Sequence, residues 1–395
     1  MKLHVPLVHP ARIASTLALW AHEMGTANGL DLMSALQQVA DPRRPSNGTR
    51  HDFQEILVMA VCAVLSDCDT VEDIAEWAAV KEPWLRRFLV LPNGVPSQDT
   101  FLRIFRLIDP KQFEAAFRRW VGGIVTALGG QIAIDGKSLR GSADSTQAAV
   151  HMVSAFHTDL SLVLGQEKVA GKSNEIAAIP ELLAALDLGG YLVSIDAMGC
   201  QKAIAERIVA QGGDYLLAVK GNQPSLLRMI EDAFVDRATA QPRHEDVEKS
   251  HGRTVGQFAW VASAQDIVDP AQWPGCRTIG RILTQRVEGG QFAEPELRYY
   301  ISSRELSADA LASATRAHWG IENQLHWMLD VQFGEDACTV RKDHAPQNLS
   351  LLKKMVLNLI RTDSSDTAKA SLRRKRKRAA WDDDIRMAML GIKPL

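Results

Sequence analysis

Two aspartates each end a short apolar run that has the composition of a β-strand. The runs are Ile132-Ala-Ile-Asp135-Gly and Leu192-Val-Ser-Ile-Asp196-Ala. Such residues stand at the carboxyl edge of a sheet, where ligands bind in open α/β folds. If the two strands are parallel neighbours, the carboxylates converge and suit a hard divalent cation such as Mg²⁺ or Mn²⁺. The alternative is that Asp135 and Asp196 are unrelated turn or cap residues, which are common at strand ends.

A third acidic residue, Glu322, lies in a segment with helical spacing, residues 316–331. In an α-helix it would share one face with His318 and His326, four residues before and after it. Another edge of that helix would carry Ile321, Leu325, Met328 and Gln332. The His-Glu-His face fits a metal or a DNA phosphate, and it fits equally a polar face packed on a neighbouring element. Its spacing is not the H-E-x-x-H of zinc proteases.

The segments before residue 129 are predicted to be helical. The run Phe53–Leu65 is an apolar helix, the turn Ser66–Thr70 supplies N-cap chemistry to the next one, and Pro96-Ser97 opens a third. Such a module is typical either of a helix-turn-helix DNA reader or of plain helix packing. The basic pairs Arg43-Arg44 and Arg50-His51 favour the first interpretation.

From Gln131 to Val235 the apolar runs predict the order β-β-β-α-β-α-β-α, which is a mixed sheet flanked by helices. Residues from about 240 to 303 predict a β-rich insertion, and helices resume near Ala308. The fold class is therefore α/β. The predicted domains are residues 1–128, 129–362 and a basic tail, 363–395.

The composition is that of an ordinary globular protein. The chain has 395 residues, is 46% hydrophobic and 23% charged, and carries a formal charge of −2. Five scattered cysteines without a C-x-x-C pair disfavour a disulfide framework or a cysteine zinc site. No apolar run is long enough for a membrane span, and the N-terminus is a poor signal peptide. We therefore expect a reduced, cytoplasmic protein.

Four motifs stand in order along the chain: Ile134-Asp-Gly-Lys137, Ser194-Ile-Asp-Ala-Met198, Leu217-Ala-Val-Lys-Gly-Asn-Gln223 and His318-Trp-Gly-Ile-Glu-Asn-Gln-Leu-His-Trp327. In these motifs, and in Pro96–Phe101 and the tail Arg373–Asp384, the chain resembles bacterial insertion-sequence transposases of the ISAs type. That group includes the H-repeat-associated proteins and belongs to the DDE superfamily, whose catalytic core is ribonuclease-H-like. The resemblance covers nearly the whole chain.

The resemblance implies that Asp135, Asp196 and Glu322 are the catalytic acids and hold two Mg²⁺ or Mn²⁺ ions. It implies cleavage and strand transfer at the terminal inverted repeats of an insertion sequence, with double-stranded DNA as partner and a homodimer on DNA. The wider group also carries an Arg and a Lys, where this chain has His318 and Leu329. A catalytically inactive DNA-binding derivative and a structure-specific nuclease are the alternatives.

Basic and polar residues near the motifs are expected to contact DNA phosphates. Such contacts set the position of the protein on the duplex and do not read the base sequence. Six of them form one uninterrupted run, which we expect to be unburied because each buried charge needs a partner. A solvated helix face balanced by Asp382–Asp384 is the alternative for that run. The predicted DNA contacts are Lys137, Arg140, Lys220, Asn222, His318, His326, Arg373, Arg374, Lys375, Arg376, Lys377 and Arg378.

Overall fold

The computed structural model describes residues 32–44, 49–125, 129–169, 175–235, 243–250, 253–289, 291–363 and 369–391. The expectation about a signal peptide falls on residues 1–31 and lies outside this range. The chain forms two compact units. A helical unit comprises residues 1–126, 139–150 and 328–395, and a sheet unit comprises residues 127–138 and 151–327. The predicted division into three domains stays a prediction.

The helices before the sheet are α1 Leu32–Leu36, α2 Phe53–Leu65, α3 Val71–Val80, α4 Glu82–Leu85, α5 Gln98–Leu107 and α6 Pro110–Ile124. The core elements are β1 Gly130–Leu139, β2 Val150–His157, β3 Leu162–Val169, α7 Glu175–Ala184, β4 Tyr191–Ile195, α8 Lys202–Ala210, β5 Asp214–Val219 and α9 Pro224–Val235. Next come β6 His244–Ser250, β7 Arg253–Ser263, β8 Thr278–Glu288, β9 Gln291–Phe292 and β10 Glu296–Ser302. The chain continues with α10 Ala308–His318, a π-helical segment Glu322–His326, α11 Trp327–Phe333, α12 Ala345–Thr362, α13 Leu372–Trp381 and α14 Asp383–Met389.

The helical unit is organised around α2, whose residues are buried almost without exception. Asp52 begins the helix, because its carboxylate accepts the backbone N–H of Glu55. Helices α12 and α13 both pack against α2. The predicted cap of the following helix is confirmed, because Thr70 and Asp73 form a reciprocal capping box. No helix in the part of the chain that the structure describes is long and apolar enough to span a membrane.

The sheet unit has the predicted chain order of strands and helices, which is the ribonuclease-H-like arrangement. Its strands lie in the order β3-β2-β1-β4-β5-β10-β8-β7-β6. Strands β1, β4 and β5 are parallel, and β2 and β3 form the predicted antiparallel hairpin. The β-rich insertion does not form a sheet of its own. Its strand β10 pairs antiparallel with β5, so the inserted strands continue the core sheet beyond the edge that β5 offers.

Register and packing place the acidic residues. Ile134 on β1 is paired with Ile195 on β4, so Asp135 and Asp196 follow side by side on neighbouring parallel strands. Asp135 does not end its strand as predicted, because β1 continues to Leu139 beyond the last residue of β4. Helix α10 packs on the sheet through Leu311, and this contact positions the chain that leads to Glu322.

Candidate metal centre

Asp196 follows strand β4 and enters a turn. Its Oδ1 accepts the backbone N–H groups of Met198 at 3.0 Å and Gly199 at 3.4 Å. Asn222, which follows the end of β5, contacts the same turn by donating through Nδ2 to the carbonyl of Ala197 at 2.6 Å. Asp196 is therefore a turn residue as well as a candidate ligand, and Asn222 supports the segment that carries it.

Glu322 and His326 bring a second pair of side chains to Asp135. His326 Nδ1 lies 3.4 Å from Glu322 Oε2 and 3.6 Å from Asp135 Oδ2. One ligand atom of each of the three residues lies within 4.8 Å of the others. Asp196 is not one of the three, since its carboxylate belongs to the neighbouring strand. The structure therefore places His326 in the acidic site, whereas the sequence left open whether its face binds a metal or a DNA phosphate or packs on a neighbouring element.

The helix predicted for residues 316–331 is interrupted. Helix α10 ends at His318, and Glu322–His326 form a π-helical segment before α11. The buried residues between Gly320 and Asp330 are Ile321, Leu325, His326 and Leu329. On the edge predicted for Ile321, Leu325, Met328 and Gln332, the last two are only half-buried. Segments of π-helix are frequent at functional sites.

His318 does not share the face of Glu322 and His326 as predicted. Its Nδ1 is hydrogen-bonded to the hydroxyl of Ser194 at 3.1 Å. Burial lowers the pKa of His318 to about 4, so the ring is neutral at neutral pH. It lines a cavity of about 70 Å³ beside Asp196, together with Lys220, Arg298 and Trp319. The Arg298 guanidinium lies 4.7 Å from the centroid of the Trp319 ring.

Burial and neighbouring charges of both signs shift the pKa values of the acidic cluster. Burial raises the pKa of Asp135 to about 6; the charge of His326 opposes this rise, and the charges of Glu322 and Asp196 add to it. Burial also raises the pKa of Asp196, and the nearby charge of Glu175 does the same. In contrast, the hydrogen bond to His326 lowers the pKa of Glu322. A cation bound among these carboxylates would remove the mutual repulsion.

The donor set fits a divalent metal ion. Carboxylate oxygens are the ligands that Mg²⁺ and Mn²⁺ prefer, and an imidazole nitrogen is more usual for transition metals such as Mn²⁺ than for Mg²⁺. Asp135, Glu322 and His326 supply two carboxylates and one imidazole within reach of a single ion. Asp196, one strand away, offers a further carboxylate.

Two residues beside this site were not indicated by the sequence. His151 on β2 and Glu175 at the start of α7 are hydrogen-bonded to each other. Ser138 on β1 bonds the other ring nitrogen of His151 at 2.9 Å. No spacing pattern could have found the pair, since its members come from elements that meet only in the folded sheet.

The remaining predicted DNA contacts fall in different places. Lys137 is half-buried on β1, and its charge lies close enough to Glu322 to lower the pKa of that carboxyl further. Arg140 belongs to the helical unit, where its Nε lies 3.4 Å from Asp336. Of the basic pairs near the N-terminus, Arg43 is held by Asp41 and by the carbonyl of His51.

The expectation that the basic run is unburied is wrong for two of its members. The side chain of Arg376 is 1% exposed, and its guanidinium contacts Asp69 at 2.7 Å and Asp67 at 3.1 Å. It also lies 4.2 Å from the centroid of the Phe333 ring. Lys375 is buried as well and donates to the carbonyl of Ile360 at 2.9 Å. Each of the two buried charges has partners, Arg376 in the turn that holds Asp67 and Asp69 and Lys375 on α12, which is the condition for burying it. Arg373 and Arg374 are exposed, and Lys377 and Arg378 are half-buried.

Two of the aspartates that follow the run have partners outside it. Asp383 pairs with Lys81 at 2.9 Å and with Arg386. Asp382 is the N-cap of α14, because its carboxylate accepts the backbone N–H groups of Asp384 and Ile385.

Comparison with known proteins covers most of the chain. The family model for the transposase DDE domain matches residues 127–359, and the DDE_Tnp_1-associated model matches residues 33–121. The chain is 39% identical over 371 residues to the H repeat-associated putative transposase YhhI of Escherichia coli (strain K12), covering 91% of this chain and 97% of that protein. It is 40% identical over 361 residues to the putative transposase YncI of Escherichia coli O157:H7, covering 89% of this chain and 91% of the relative.

Among solved structures, the chain is similar to the piggyBac transposase in a synaptic complex with hairpin DNA. That similarity has a TM-score of 0.41 at 12% identity and covers 96% of this chain and 78% of the other. The transposase DDE domain model covers the stretch that carries Asp135, Asp196 and Glu322, and the DDE_Tnp_1-associated model covers residues 33–121 before it. On this evidence the chain belongs to the DDE transposase family and, within it, to the group of the H-repeat-associated transposases.

Proposed function

We propose that this protein is an active DNA transposase, which cuts DNA strands at the terminal inverted repeats of an insertion sequence and joins the ends to target DNA. The observation that carries the proposal is the convergence of Asp135, Glu322 and His326 beside Asp196 at one edge of the sheet. Like charges placed close together destabilise a folded protein, so this arrangement does not serve stability and points to a function.

Asp135, Asp196 and Glu322 would hold two Mg²⁺ or Mn²⁺ ions, with His326 as a further ligand beside Asp135 and Glu322. When bound, such ions would supply the Lewis acidity that activates water or a DNA 3′-hydroxyl and stabilises the leaving oxygen. His326 keeps the carboxylates of Asp135 and Glu322 oriented towards one another. Asn222 and the turn N–H groups fix the carboxylate of Asp196.

Basic side chains at the same edge would hold the DNA backbone. Lys137 lies near Glu322, and Lys220 lies near Asp196. Arg298 lines the cavity that adjoins Asp196 and takes the place of the Arg that the wider signature carries elsewhere. Leu329 stands where the signature has Lys, but it is fully buried and cannot contact a phosphate.

The proposal is tested with DNA carrying the inverted repeats that flank the coding region. We expect Mn²⁺-dependent cleavage of this DNA and joining of the cut ends to a target duplex. Asp196→Asn and Glu322→Gln keep the size of each side chain and remove its charge. Each should reduce cleavage at least about a thousand-fold, since a metal supplies several kcal/mol of stabilisation and each 1.36 kcal/mol is tenfold in rate.

Asp187→Asn is the matched control, because Asp187 is exposed before the amino end of β4 and caps a local turn. It should leave cleavage unchanged. Full cleavage by Asp196→Asn would contradict the proposal. If the wild type binds this DNA specifically but does not cut it, the protein is a catalytically inactive DNA-binding derivative of a transposase. If it cuts the DNA but does not join the ends to a target, it is a structure-specific nuclease.

We also propose that the helical unit recognises the ends of the element and that two copies of the chain act on two ends in the bacterial cytoplasm. The exposed residues Arg44 and Arg50 are the ones to test. Replacing both by Gln should weaken binding to terminal-repeat DNA relative to random DNA at matched salt. An unchanged ratio would remove the sequence-reading role from these two residues.

A further inference from the structure

Helix α13 has an inner face that is held against the rest of the helical unit. Arg376 on this face pairs with Asp69 at 2.7 Å, and Ala379, three residues further on, is fully buried. From α14, Arg386 donates through Nη1 to the carbonyl of Ala379 at 2.6 Å. The orientation of α13 about its own axis is therefore fixed, including that of its last turn, which ends at Trp381.

The opposite, outer face of α13 carries two rows of side chains. Residues four positions apart are neighbours on a helix, so Arg373, Lys377 and Trp381 form one row and Arg374 and Arg378 form the next. Arg373, Arg374 and Trp381 are exposed, and Lys377 and Arg378 are half-buried. Among the residues that the structure describes, none of the four basic side chains forms an ion pair with an acid. The outer face therefore presents its positive charge over about 8 Å of helix, at about 1.5 Å per residue.

Trp381 distinguishes the outer face from an ordinary solvated surface. Water solvates arginine and lysine side chains well, but an indole ring that is 76% exposed presents a large apolar area to water. Lys377 and Arg378 lie four and three residues before Trp381 and are its neighbours on the helix. The exposed aromatic ring therefore lies within a basic surface.

This combination matches a ligand that has phosphates and accessible bases. A basic surface that follows the backbone, together with aromatic side chains on which bases stack, is typical of sites that bind single-stranded nucleic acid. In a duplex, each base is stacked between its neighbours, and inserting a ring between them requires unstacking, which costs free energy. The indole therefore favours a strand whose bases are unpaired, whereas the basic side chains bind phosphates of either form of DNA.

We propose that the outer face of α13 is a binding site for unpaired DNA, in which Trp381 stacks on a base while Arg373, Arg374, Lys377 and Arg378 contact the neighbouring phosphates. This inference rests on the proposed function, because cutting DNA strands creates ends at which bases are free to unpair. It adds to the phosphate contacts of the basic run a contact that distinguishes unpaired from paired DNA.

Binding of the full-length protein to two DNA probes tests the site without reference to cleavage. One probe is a fluorescent oligothymidylate of about 15 nucleotides, a length near the upper end of known single-strand site sizes. The other is relaxed closed-circular duplex DNA, which has no strand ends and is measured by competition. Both are used in the presence of a chelator, so that no strand is cut.

Trp381→Ala should weaken binding to the oligothymidylate by about 5- to 100-fold, which is the effect of losing one stacked base. Binding to the circular duplex should change by less than about twofold. The slope of log affinity for the oligothymidylate against log salt should stay the same, because the phosphate contacts remain. Phe292→Ala is the matched control, since Phe292 on β9 is an aromatic residue that is 78% exposed. It should bind both probes as the wild type does.

Trp381→Phe keeps an aromatic ring and should retain most of the binding to the oligothymidylate, which separates stacking from any change in the folding of α13. Wild-type affinity of Trp381→Ala for the oligothymidylate, or equal losses on the two probes, would overturn the inference. So would a wild type that does not bind the oligothymidylate, or a Trp381→Ala variant that loses binding only to anionic lipid vesicles. These outcomes leave the proposed function standing, because cleavage of terminal-repeat DNA is measured separately.

Discussion

The carboxyl edge of strands β1 and β4 and the basic helix α13 both concentrate charge of one sign, but their charges have different surroundings. At the sheet edge, Asp135 has Glu322 and Asp196 nearby, and their charges contribute to the rise in its pKa to about 6. On α13, the buried Arg376 meets Asp67, Asp69 and the face of Phe333. The buried Arg376 is thus paired with acids of the fold, whereas Asp135 lies beside two further acids as well as His326.

This difference separates two reasons for charged residues to be close together. Compensated charge such as that of Arg376 holds elements together, and removing one partner leaves the other buried and unpaired. Uncompensated like charge costs stability and persists where binding or catalysis requires it. The role of a charged side chain is therefore indicated by its burial and by the charges of its neighbours. Its place in a run of charged residues is a weaker guide.

The largest effect on stability is expected from Arg376→Gln. This change removes the guanidinium from between Asp67 and Asp69 and should lower the free energy of unfolding by about 3–5 kcal/mol. Arg374→Gln, on the exposed part of the same helix, should change it by less than about 0.5 kcal/mol. Urea unfolding of both variants measures the difference. If both variants lose the same small free energy of unfolding, the buried ion pairs of Arg376 do not stabilise the fold.

A smaller effect is expected when the pH is changed in the absence of divalent metal. Asp135 has a pKa of about 6 in the folded protein and a usual value of 3.8. Between these values the folded state binds more protons than the unfolded state, so the free energy of unfolding falls as pH rises. The loss should amount to about 3 kcal/mol between pH 4 and pH 7, at 1.36 kcal/mol per unit of pKa.

Asp135→Asn is the control for this pH dependence, because the amide does not titrate. Unfolding measured with a chelator at several pH values should show a flatter dependence in Asp135→Asn than in the wild type. Addition of Mn²⁺ should stabilise the wild type at pH 7 and leave the variant almost unchanged. Identical pH dependence of the two proteins would mean that Asp135 ionises at its usual pKa in the folded state.

The basic helix itself should affect DNA binding only through its accessible members. Replacing Arg373, Arg374, Lys377 and Arg378 by Gln should weaken binding to specific and random DNA alike. It should reduce the slope of log affinity against log salt by up to about 3–4, since each neutralised phosphate contributes about 0.9. Lys375 and Arg376 are buried and are not expected to contribute. An unchanged slope would show that these four residues are exposed to solvent and do not contact DNA phosphates.

The smallest effect concerns His318. With a pKa of about 4, its imidazole should show no titration between pH 5.5 and pH 8 in ¹⁵N-detected NMR spectra. His318→Asn should then leave the pH dependence of DNA cleavage unchanged, because His318 carries no charge to lose in that range. A titration midpoint near 6.5 would restore His318 as a candidate phosphate contact.

Local sequence patterns determined much of the fold. The apolar runs predicted the strands that carry Asp135 and Asp196, because alternating or continuous apolar residues report burial within one element. The apolar run Phe53–Leu65 and the capping turn before Val71 predicted their helices in the same way. The order of these elements, together with the motifs around Asp196 and Glu322, was enough to indicate the fold and the family.

The tertiary structure alone decided which side chains meet. The pairs His151–Glu175 and Arg376–Asp69 join residues that are 24 and 307 positions apart in the chain. The continuation of the core sheet by β10 depended on the free edge of β5. Periodicity describes how one element is buried and contains no information on its partner. The ion pairs of Arg376 and the contact of His326 with Asp135 therefore follow only from non-local packing.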